Sequence, residues 1–312
     1  MSFRVASTVA LPSRSATTLT DLGIDLVPAR GVTELRTLGE LGAVITTITD
    51  PVDEAAVAEL HAQGVRLVAN VGVGHNNIDI AAASRVGLSV TNTPDVLTDA
   101  TADLAMALLL DVTRRVCEGD RLVRGGRPWS WAFDFMWGSS LAGKRLGIVG
   151  YGRIGEAVAR RARAFGMTIA SSSRRPRSEP DVEWMPLDRL FAESDVVSLH
   201  CPLTAGTRHL VDADRLRSMK RTAVLVNTAR GAVVDEAALV AALGDGTIAA
   251  AGLDVYEDEP RLAPGLADLD NVVLAPHLGS ATRETREAMA DVAVQNVAAF
   301  HRGGALLTPV TG

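Results

Sequence analysis

Residues 146–165 read LGIVGYGRIGEAVARRARAF, and this stretch decides the fold. Its first four residues are an apolar run typical of a buried strand, and the apolar residues after the glycines recur at helical spacing. Between them lies the pattern G-x-G-x-x-G, from Gly150 to Gly155. The first glycine permits a tight turn, the second lets the backbone approach a pyrophosphate, and the third lets helix and strand pack closely. The stretch therefore predicts a dinucleotide-binding βα unit.

The start of the predicted helix supplies the phosphate contacts. Backbone N–H groups at a helix N-terminus have no partner inside the helix and bind phosphate oxygens. We therefore expect cofactor contacts from Gly150, Gly152, Arg153, Ile154 and Gly155.

The residues that follow lack an expected acid. A turn of this type usually has Asp or Glu about 20 residues further on, where it binds a ribose 2′-hydroxyl. Residues 168–177 read TIASSSRRPR, so Ser173 holds that position and Arg174 and Arg175 follow it. Hydroxyl and guanidinium groups can bind a 2′-phosphate, which an acid would repel. The pattern predicts a preference for NADP(H), with NAD(H) still possible; the alternative is a solvated basic turn.

The wider chain alternates short β-branched runs with helical stretches, which is the pattern of parallel sheets covered by helices. The class is therefore α/β, and two series of strands predict two doubly wound sheets. The first series is predicted at residues 4–9, 25–28, 43–47, 66–70 and 89–92. The second is predicted at residues 145–149, 168–171, 196–200, 223–227, 249–253 and 272–275. Between the two series, a single helix apolar on nearly all sides is predicted from Thr101 to Cys117, and a last helix runs from about Glu284 to His301.

Composition excludes several classes of protein. The chain has 312 residues, 47% of them hydrophobic, and a net charge of −6. Acidic and basic residues are interspersed, so neither a nucleic-acid partner nor a membrane surface is expected. No signal peptide or membrane span is recognised, which favours the cytoplasm. The two cysteines have no ligand-like spacing, so no metal is predicted.

The ends of the second series of strands carry the chemistry. Ligands of doubly wound sheets bind beyond the carboxyl ends of the strands. Arg230, Glu259 and His277 all follow such strands. Reduction of a 2-keto acid needs a cation for the carboxylate, a proton donor, and a group that keeps this donor charged. A carboxylate beside an imidazole favours the imidazolium. These three residues are therefore the catalytic candidates.

Several motifs together resemble the D-2-hydroxyacid dehydrogenase family. They are the glycine turn, NTARG at 227–231, GLDVYEDEP at 252–260 and PHLGSAT at 276–282. VGVGHNNID at 71–79 and VLTDATADLA at 96–105 are similar to its glyoxylate and hydroxypyruvate reductase branch. The resemblance implies a Rossmann dinucleotide-binding domain at 96–282 and a flavodoxin-like substrate domain at 1–95 and 283–312.

The resemblance also implies roles for residues. Arg230 would bind the substrate carboxylate and polarise the keto group, His277 would be the acid/base, and Glu259 would orient its ring and stabilise its charge. The backbone near Val73 and Gly74 would make the other carboxylate contacts. Besides the glycine turn and residues 173–175, the expected cofactor contacts are Thr101, His200, Pro202, Thr228, Ala229, Asp254, His277 and Gly279. His200 alternatively fixes the local turn.

His75 departs from the family pattern, in which an aromatic or aliphatic residue is expected. It is assigned either to substrate binding or to a surface loop. The expected activity is hydride transfer from NADPH to glyoxylate, hydroxypyruvate or a similar small 2-keto acid, giving the D-2-hydroxy acid or glycolate. Two alternatives remain open: formate or phosphite oxidation on the same fold, and a dinucleotide-sensing binding protein of the corepressor type.

A segment rich in aromatic residues bears on assembly. In PWSWAFDFMW, Trp129, Trp131, Phe133, Phe135 and Trp137 fall at every second position. Either one face of an irregular segment packs on the core, or an extended arm covers a partner subunit or the mouth of the cleft. The arm and the apolar helix favour a homodimer.

Overall fold

The computed structural model describes residues 3–174 and 179–311 and divides the chain into two compact units. Unit 1 is Met1–Leu97 with Thr282–Gly312, and unit 2 is Thr98–Ala281. Each unit has its own parallel sheet covered by helices. The predicted α/β class with two doubly wound parallel sheets is confirmed.

Unit 1 contains a five-stranded parallel sheet in the order β2-β1-β3-β4-β5. Its strands are β1 (Arg4–Ser7), β2 (Asp25–Pro28), β3 (Ala43–Thr47), β4 (Leu67–Val71) and β5 (Ser89–Thr91). Its helices are α1 (Ser13–Asp21), α2 (Val32–Leu35), α3 (Glu54–Ala62), α4 (Ile80–Arg85) and, from the end of the chain, α11 (Arg283–His301).

Apolar burial and helix caps hold unit 1 together. Val57 and Leu60 on α3 are at most 1% exposed and pack against the sheet with Val44 and Val68. Burial of such a side chain contributes about 1.5–3 kcal/mol to the free energy of unfolding. Asp53 caps α3 by accepting a 2.8 Å hydrogen bond from the Ala56 amide, which satisfies one of the donors that a helix start leaves unpaired.

Unit 2 contains a seven-stranded parallel sheet in the order β12-β11-β10-β9-β6-β7-β8. Its strands are β6 (Arg145–Val149), β7 (Thr168–Ser172), β8 (Val182–Trp184), β9 (Val196–Leu199), β10 (Val224–Asn227), β11 (Ala250–Leu253) and β12 (Val272–Leu274). Its helices are α5 (Thr98–Arg114), α6 (Val116–Arg124), α7 (Arg153–Ala164), α8 (Leu187–Glu193), α9 (Ala213–Ser218) and α10 (Glu236–Gly244). The strand order reverses at β6, where a doubly wound sheet binds its ligand.

The sequence prediction missed one strand of unit 2. Six strands were expected, and the seventh is β8, which pairs with β7 at the edge of the sheet. Glu183 and Trp184, two of its three residues, are exposed. Such a short edge strand lacks the continuous apolar run by which buried parallel strands are recognised.

The predicted single helix from Thr101 to Cys117 is wrong in its bounds. Helix α5 ends at Arg114, Arg115 adopts the left-handed conformation with φ 56°, and α6 follows. Asp103 and Ala107 on α5 are exposed, so one face of the helix remains open. The other face packs on α7, β10 and β11 of its own unit.

The aromatic segment between α6 and β6 is not an extended arm. Residues 133–136 form a turn, which brings Phe133 edge-on to Trp137 with ring centroids 5.8 Å apart. Trp129 stacks on Phe135 at 6.1 Å. Trp131 and Phe133 are nevertheless 80% and 82% exposed. The first interpretation, one face on the core, is therefore also wrong.

Candidate active site

The glycine turn between β6 and α7 has the local geometry that its sequence predicts. Gly150 has φ +93°, and a Cβ added there would lie 2.7 Å from the Cys201 nitrogen. A Cβ on Gly155 would lie 2.5 Å from the Gly150 carbonyl oxygen, so both positions exclude a side chain. A Cβ on Gly152, in contrast, would meet no atom within 4 Å. The open side of Gly152 is where a ligand can approach the backbone.

The start of α7 lies directly behind this opening. Gly152 is the N-cap residue and has no side chain that could cap the helix. Arg153 and Ile154 begin the helix. The N–H groups of the first turn of an α-helix lack intrahelical acceptors, and the helix dipole favours negative charge there. The turn therefore fits the pyrophosphate of a dinucleotide.

The end of β7 lies beside the glycine turn, because the Gly150 amide donates a 2.9 Å hydrogen bond to the Ser172 carbonyl. Ser173 follows directly and is partly buried, and Arg174 is exposed. The structure thus brings a hydroxyl and a guanidinium, rather than a carboxylate, to the strand end. Arg175 lies outside the described residues.

Arg230 follows β10 in a turn that Asn227 organises. The buried Asn227 amide accepts from the Ala229 nitrogen at 3.0 Å and donates to the Arg230 carbonyl at 3.0 Å. Arg230 donates to the Ala229 carbonyl at 2.6 Å, and within the described residues it forms no ion pair. Burial lowers the pKa of its guanidinium, although the charge of Glu259 opposes this. A half-buried cation without an ion pair is a natural site for an anionic ligand.

His277 is held in an unusual backbone conformation. Its φ of 56° lies in the left-handed region, which costs a non-glycine residue about 1–3 kcal/mol. Asp254 offsets this cost: its carbonyl accepts from the His277 amide at 2.9 Å, and its carboxylate accepts from the Leu278 and Gly279 amides at 2.6 and 2.8 Å. Burial raises the pKa of Asp254 despite these amides. The position of the His277 ring therefore depends on Asp254.

Glu259 binds the imidazole of His277. Its Oε2 lies 2.9 Å from His277 Nδ1, and its Oε1 accepts from the Tyr256 amide at 3.0 Å. Burial alone would raise the pKa of Glu259, but the bonds from His277 and Tyr256, with the charges of His277 and Arg230, hold it below its ordinary value. An ionised carboxylate at Nδ1 assigns the proton to that nitrogen and leaves Nε2 to exchange a proton with a ligand.

The Arg230 turn and the Glu259 loop are in close contact. A Cβ on Gly231 would lie 1.7 Å from the carbonyl carbon of Tyr256 and 2.2 Å from the Glu257 nitrogen. Only glycine permits this approach. The structure therefore brings Arg230, Glu259 and His277 together at the carboxyl edge of the unit 2 sheet, as their positions after β10, β11 and β12 predict.

The other residues expected to bind cofactor have mixed environments. Thr101 donates a 3.1 Å hydrogen bond to the Gly279 carbonyl, so Thr101 and Asp254 both fix the loop after His277. Thr228 Oγ1 is buried without a protein partner, Ala229 is buried, and Pro202 is exposed. Direct contact of any of these residues with a cofactor stays a prediction.

His200 is bound within its own strand end. Its Nε2 lies 2.8 Å from Ser198 Oγ, and burial lowers the pKa of its imidazole to about 4. The ring is therefore uncharged near neutral pH. This environment fits the alternative that His200 fixes the local turn, and its contact with the cofactor stays a prediction.

In unit 1, the loop after β4 carries the three residues assigned to the substrate. Asn70 Nδ2 donates to the Gly74 carbonyl at 2.9 Å, and Asn92 Nδ2 donates to the Val73 carbonyl at 2.9 Å. These bonds use the carbonyls, so the predicted role in carboxylate binding falls to the amides. His75 Nδ1 is buried and has no protein partner in the described part of the chain.

Two residues have a supporting role in the site that the sequence did not indicate. Asp254 was predicted to contact the cofactor, which stays a prediction, and its carboxylate also accepts hydrogen bonds from the backbone amides after His277. Glu236, next to the Asp235 N-cap of α10, resembles an ordinary acid of a first helical turn. The structure shows instead that it is 5% exposed and accepts a hydrogen bond from the Glu257 amide.

Residues 3–174 and 179–311 contain no cluster of three or more His, Cys, Asp or Glu residues that could hold a metal ion. No helix in these ranges has the length and apolar composition needed to cross a membrane.

Comparisons with known proteins show what the whole chain resembles. Residues 106–279 match the model of the D-isomer specific 2-hydroxyacid dehydrogenase, NAD binding domain. The glyoxylate reductase of Thermococcus litoralis is 49% identical over 285 residues, covering 88% of this chain and 85% of that protein. That of Korarchaeum cryptofilum is 50% identical over 291 residues, covering 91% and 86%.

A solved structure extends the similarity to the whole chain. It is the NADPH-dependent glyoxylate/hydroxypyruvate reductase of Sinorhizobium meliloti in complex with NADP and malonate. It is 35% identical, with a TM-score of 0.88, and the match covers 100% of this chain and 97% of that one.

The glycine turn gives a test that separates folding from binding. Gly152→Ala places a methyl group where no atom lies within 4 Å, so the variant should fold with unchanged stability. The methyl group would block the approach of the pyrophosphate, and we expect the Kd for the dinucleotide to rise about tenfold or more, or about 1.4 kcal/mol. Fluorescence titration and thermal unfolding measure both.

Gly244→Ala is the matched control, because an added Cβ there also meets no atom within 4 Å. It should leave the Kd unchanged. Equal affinities of Gly152→Ala and the unmodified protein would remove the glycine turn from phosphate binding.

Proposed function

The chain belongs to the D-isomer specific 2-hydroxyacid dehydrogenase family and is an NAD(P)-dependent 2-keto acid reductase; from this premise we propose that it transfers a hydride from NADPH to glyoxylate, hydroxypyruvate or a similarly small 2-keto acid. The product is the D-2-hydroxy acid, or glycolate from glyoxylate. The observation that carries the proposal is the 2.9 Å pair of His277 and Glu259 beside the half-buried Arg230.

Arg230 binds the substrate. Arg230 is half-buried, its guanidinium carries a charge, and it has no ion pair among the described residues. A carboxylate with its adjacent keto oxygen presents the planar set of acceptors that a guanidinium fork matches. In the proposed complex, Arg230 fixes the carboxylate and polarises the keto group. In unit 1, the amides of Val73 and Gly74 and the side chain of His75 are the proposed substrate-binding groups.

His277 supplies the proton. When bound, the reduced nicotinamide supplies the hydride to the keto carbon, and the keto oxygen must gain a proton at the same time. His277 Nε2 donates it, because Nδ1 is engaged with Glu259. The ionised Glu259 stabilises the imidazolium before transfer and holds the ring in position. In the oxidative direction, the neutral ring accepts the same proton.

The alternative activities fit this arrangement less well. Formate has no hydroxyl proton to remove, so oxidation of formate makes no use of an imidazole paired to a carboxylate. A dinucleotide sensor needs the glycine turn, but it needs neither a half-buried, unpaired Arg230 nor the His277–Glu259 pair. Both alternatives are separated from keto acid reduction by the absorbance decay of NADPH with a panel of 2-keto acids.

We propose NADPH as the preferred reductant. Ser173 and the exposed Arg174 follow β7, where an acid would bind the ribose hydroxyl of NADH. The similar reductase of Sinorhizobium meliloti is described as NADPH-dependent. Ser173 and Arg174 would bind the 2′-phosphate, while Thr228 and Ala229 would line the nicotinamide side.

We also propose a homodimer formed through α6 and the aromatic segment. Helix α6 has no buried residue, and its Val116 and Val123 are 58% and 61% exposed. A nine-residue helix without buried contacts is not stable in water on its own. Trp131 and Phe133 extend this apolar surface. Surfaces so rich in exposed aromatic side chains are typical of protein interfaces, and a second copy would bury both elements.

The catalytic assignment predicts different defects for two substitutions. His277→Ala should lower kcat by about 10² to 10⁴, the usual contribution of a general acid, with the KM for the keto acid nearly unchanged. Arg230→Ala should lower kcat and also raise this KM, because the ion pair exists in the ground state. Steady-state kinetics with glyoxylate and hydroxypyruvate measure both. Near-normal turnover of His277→Ala would exclude it as the acid.

The pH profile tests Glu259. Reduction needs a protonated His277, so activity is lost as pH rises through the titration of the ring. Because the pKa of Glu259 is lowered, its carboxylate stays ionised across that range. Glu259→Gln removes this charge, and the alkaline limb of kcat should move to lower pH. An unchanged limb would contradict the role of Glu259.

The cofactor preference gives a charge-reversal test. Hydrogen bonds to charged groups contribute about 1.5–3 kcal/mol each, discounted here for exposure. We expect kcat/KM for NADPH to exceed that for NADH by roughly ten- to a thousandfold, at about tenfold per 1.4 kcal/mol. Arg174→Ala should raise the KM for NADPH and leave that for NADH nearly unchanged. Ser173→Asp with Arg174→Ala should reverse the preference, and equal use of both cofactors by the unmodified protein would refute it.

The assembly is tested by multi-angle light scattering. The protein should elute at twice the mass of one chain, and Trp131→Ala with Phe133→Ala should shift it toward the monomer. Trp184→Ala, at an exposed position on β8, is the control and should leave the mass unchanged. A monomer at micromolar concentration would contradict the dimer.

A further inference from the structure

A buried acid lies beneath the loop that carries Glu259. Glu236 is the first residue of α10, and its side chain is directed away from solvent. Neither hydride transfer nor substrate binding uses it. Its carboxylate nevertheless contacts the segment from residue 254 to residue 263, in which Glu259 lies.

The carboxylate of Glu236 binds the backbone of this segment. Its Oε1 accepts a 2.5 Å hydrogen bond from the Glu257 amide. The Arg261 amide donates to the Asp258 carbonyl at 2.8 Å and closes a tight turn around Glu259. Glu236 thus holds the start of the turn that contains Glu259, and the Ala263 amide beyond this turn also lowers the pKa of its carboxyl.

The charges around Glu236 make it a poor choice for stability alone. Burial raises the pKa of its carboxyl, and the carboxylates of Glu257 and Glu259 act in the same direction, while the two amide bonds oppose them. Glu257 is drawn to the other side by Arg208 and His209, each 2.7 Å from its Oε1. A buried acid near two like charges destabilises the fold. A residue of this kind is retained where its geometry is needed, and here the geometry that is needed is the position of the turn.

We propose that Glu236 is a positioning residue, which fixes the start of the Glu257–Ala263 turn through the hydrogen bond from the Glu257 amide and so keeps the Glu259 carboxylate within bonding distance of His277. The inference rests on the proposed function, since the His277–Glu259 pair matters for proton transfer. It acts through hydrogen bonds rather than through charge at the reacting atoms. A neutral side chain of the same length can therefore replace it.

Two variants of Glu236 separate these contributions. Glu236→Gln keeps an acceptor oxygen for an amide, and we expect its kcat to stay within about threefold of the unmodified enzyme. Glu236→Ala removes the acceptors and frees the turn. Small misplacements at a reacting centre cost up to about 10²-fold, so kcat should fall roughly ten- to a hundredfold. The Kd for NADPH should be unchanged, and the alkaline limb of kcat should move toward that of Glu259→Gln.

Asp195→Ala is the matched control for a general loss of stability in unit 2. Asp195 also accepts from a backbone amide, that of Arg145 at 2.8 Å, and it bonds Lys220, but it lies where β6 and β9 begin. The control should lower the melting temperature and leave the pH profile unchanged. If Glu236→Ala does not fold, Glu236→Asp retracts the carboxylate by one methylene and should give a smaller loss in the same direction.

Titration of the His277 ring, followed by ¹⁵N NMR, reports whether the Glu259 carboxylate is in place beside the ring, and it needs no substrate. The groups facing the ring are Glu259 and Asp254, with Arg230 beyond Glu259. The titration curve of Glu236→Ala should approach that of Glu259→Gln, and that of Glu236→Gln should match the unmodified protein.

Three outcomes would overturn the proposal: a His277 titration that Glu236→Ala leaves unchanged, a pH limb that it leaves unchanged, or a Glu236→Gln variant as defective as Glu236→Ala. Failure of the unmodified protein to reduce any 2-keto acid would instead refute the proposed function, and the NMR titration would still decide the role of Glu236.

Discussion

The hydrogen bond between His277 Nδ1 and Glu259 Oε2 is the interaction on which the site depends, and much of unit 2 is arranged to maintain it. Its two residues lie on different loops, after β12 and β11, and neither residue belongs to a helix or strand. His277 is held from one side by Asp254, which accepts from three consecutive amides. Glu259 is held by the Tyr256 amide and by the loop that Glu236 anchors. A polar pair on loops is therefore as well fixed as a pair on strands.

The need to hold these residues together also explains why residue 231 is a glycine. Gly231 follows Arg230 and lies against the carbonyl of Tyr256, closer than any Cβ allows. Moving these two backbone segments apart by the width of a methyl group would separate Arg230 from Glu259. The negative charge of Glu259 acts to raise the pKa of Arg230. The positive charges of Arg230 and His277 act in turn to lower the pKa of Glu259. The three groups form one electrostatic unit.

Most of the fold could be predicted from the sequence because parallel strands buried on both faces read as continuous apolar runs. Eleven strands were predicted near their observed positions for this reason. The exceptions have local causes: β8 is short and exposed at the sheet edge, and α5 ends at Arg114 because Arg115 adopts the left-handed conformation without being a glycine. The aromatic segment has period-two spacing but forms a turn, because alternation predicts a strand only where a neighbouring strand is available to pair.

The convergence of the candidate catalytic residues could be predicted because a doubly wound sheet brings its strand ends to one edge, so Arg230, Glu259 and His277 meet from distant positions in the chain. Their supporting groups could not be predicted in the same way. Asp254 and Glu236 act through bonds to backbone amides, and a backbone amide has no sequence signature. Glu236 shows the difficulty most clearly, since an acid in the first turn of a helix normally interacts with its own helix dipole. Its burial under another loop is a property of tertiary packing. The precision of this site depends on such hydrogen bonds to backbone amides rather than on the residues proposed to touch ligand.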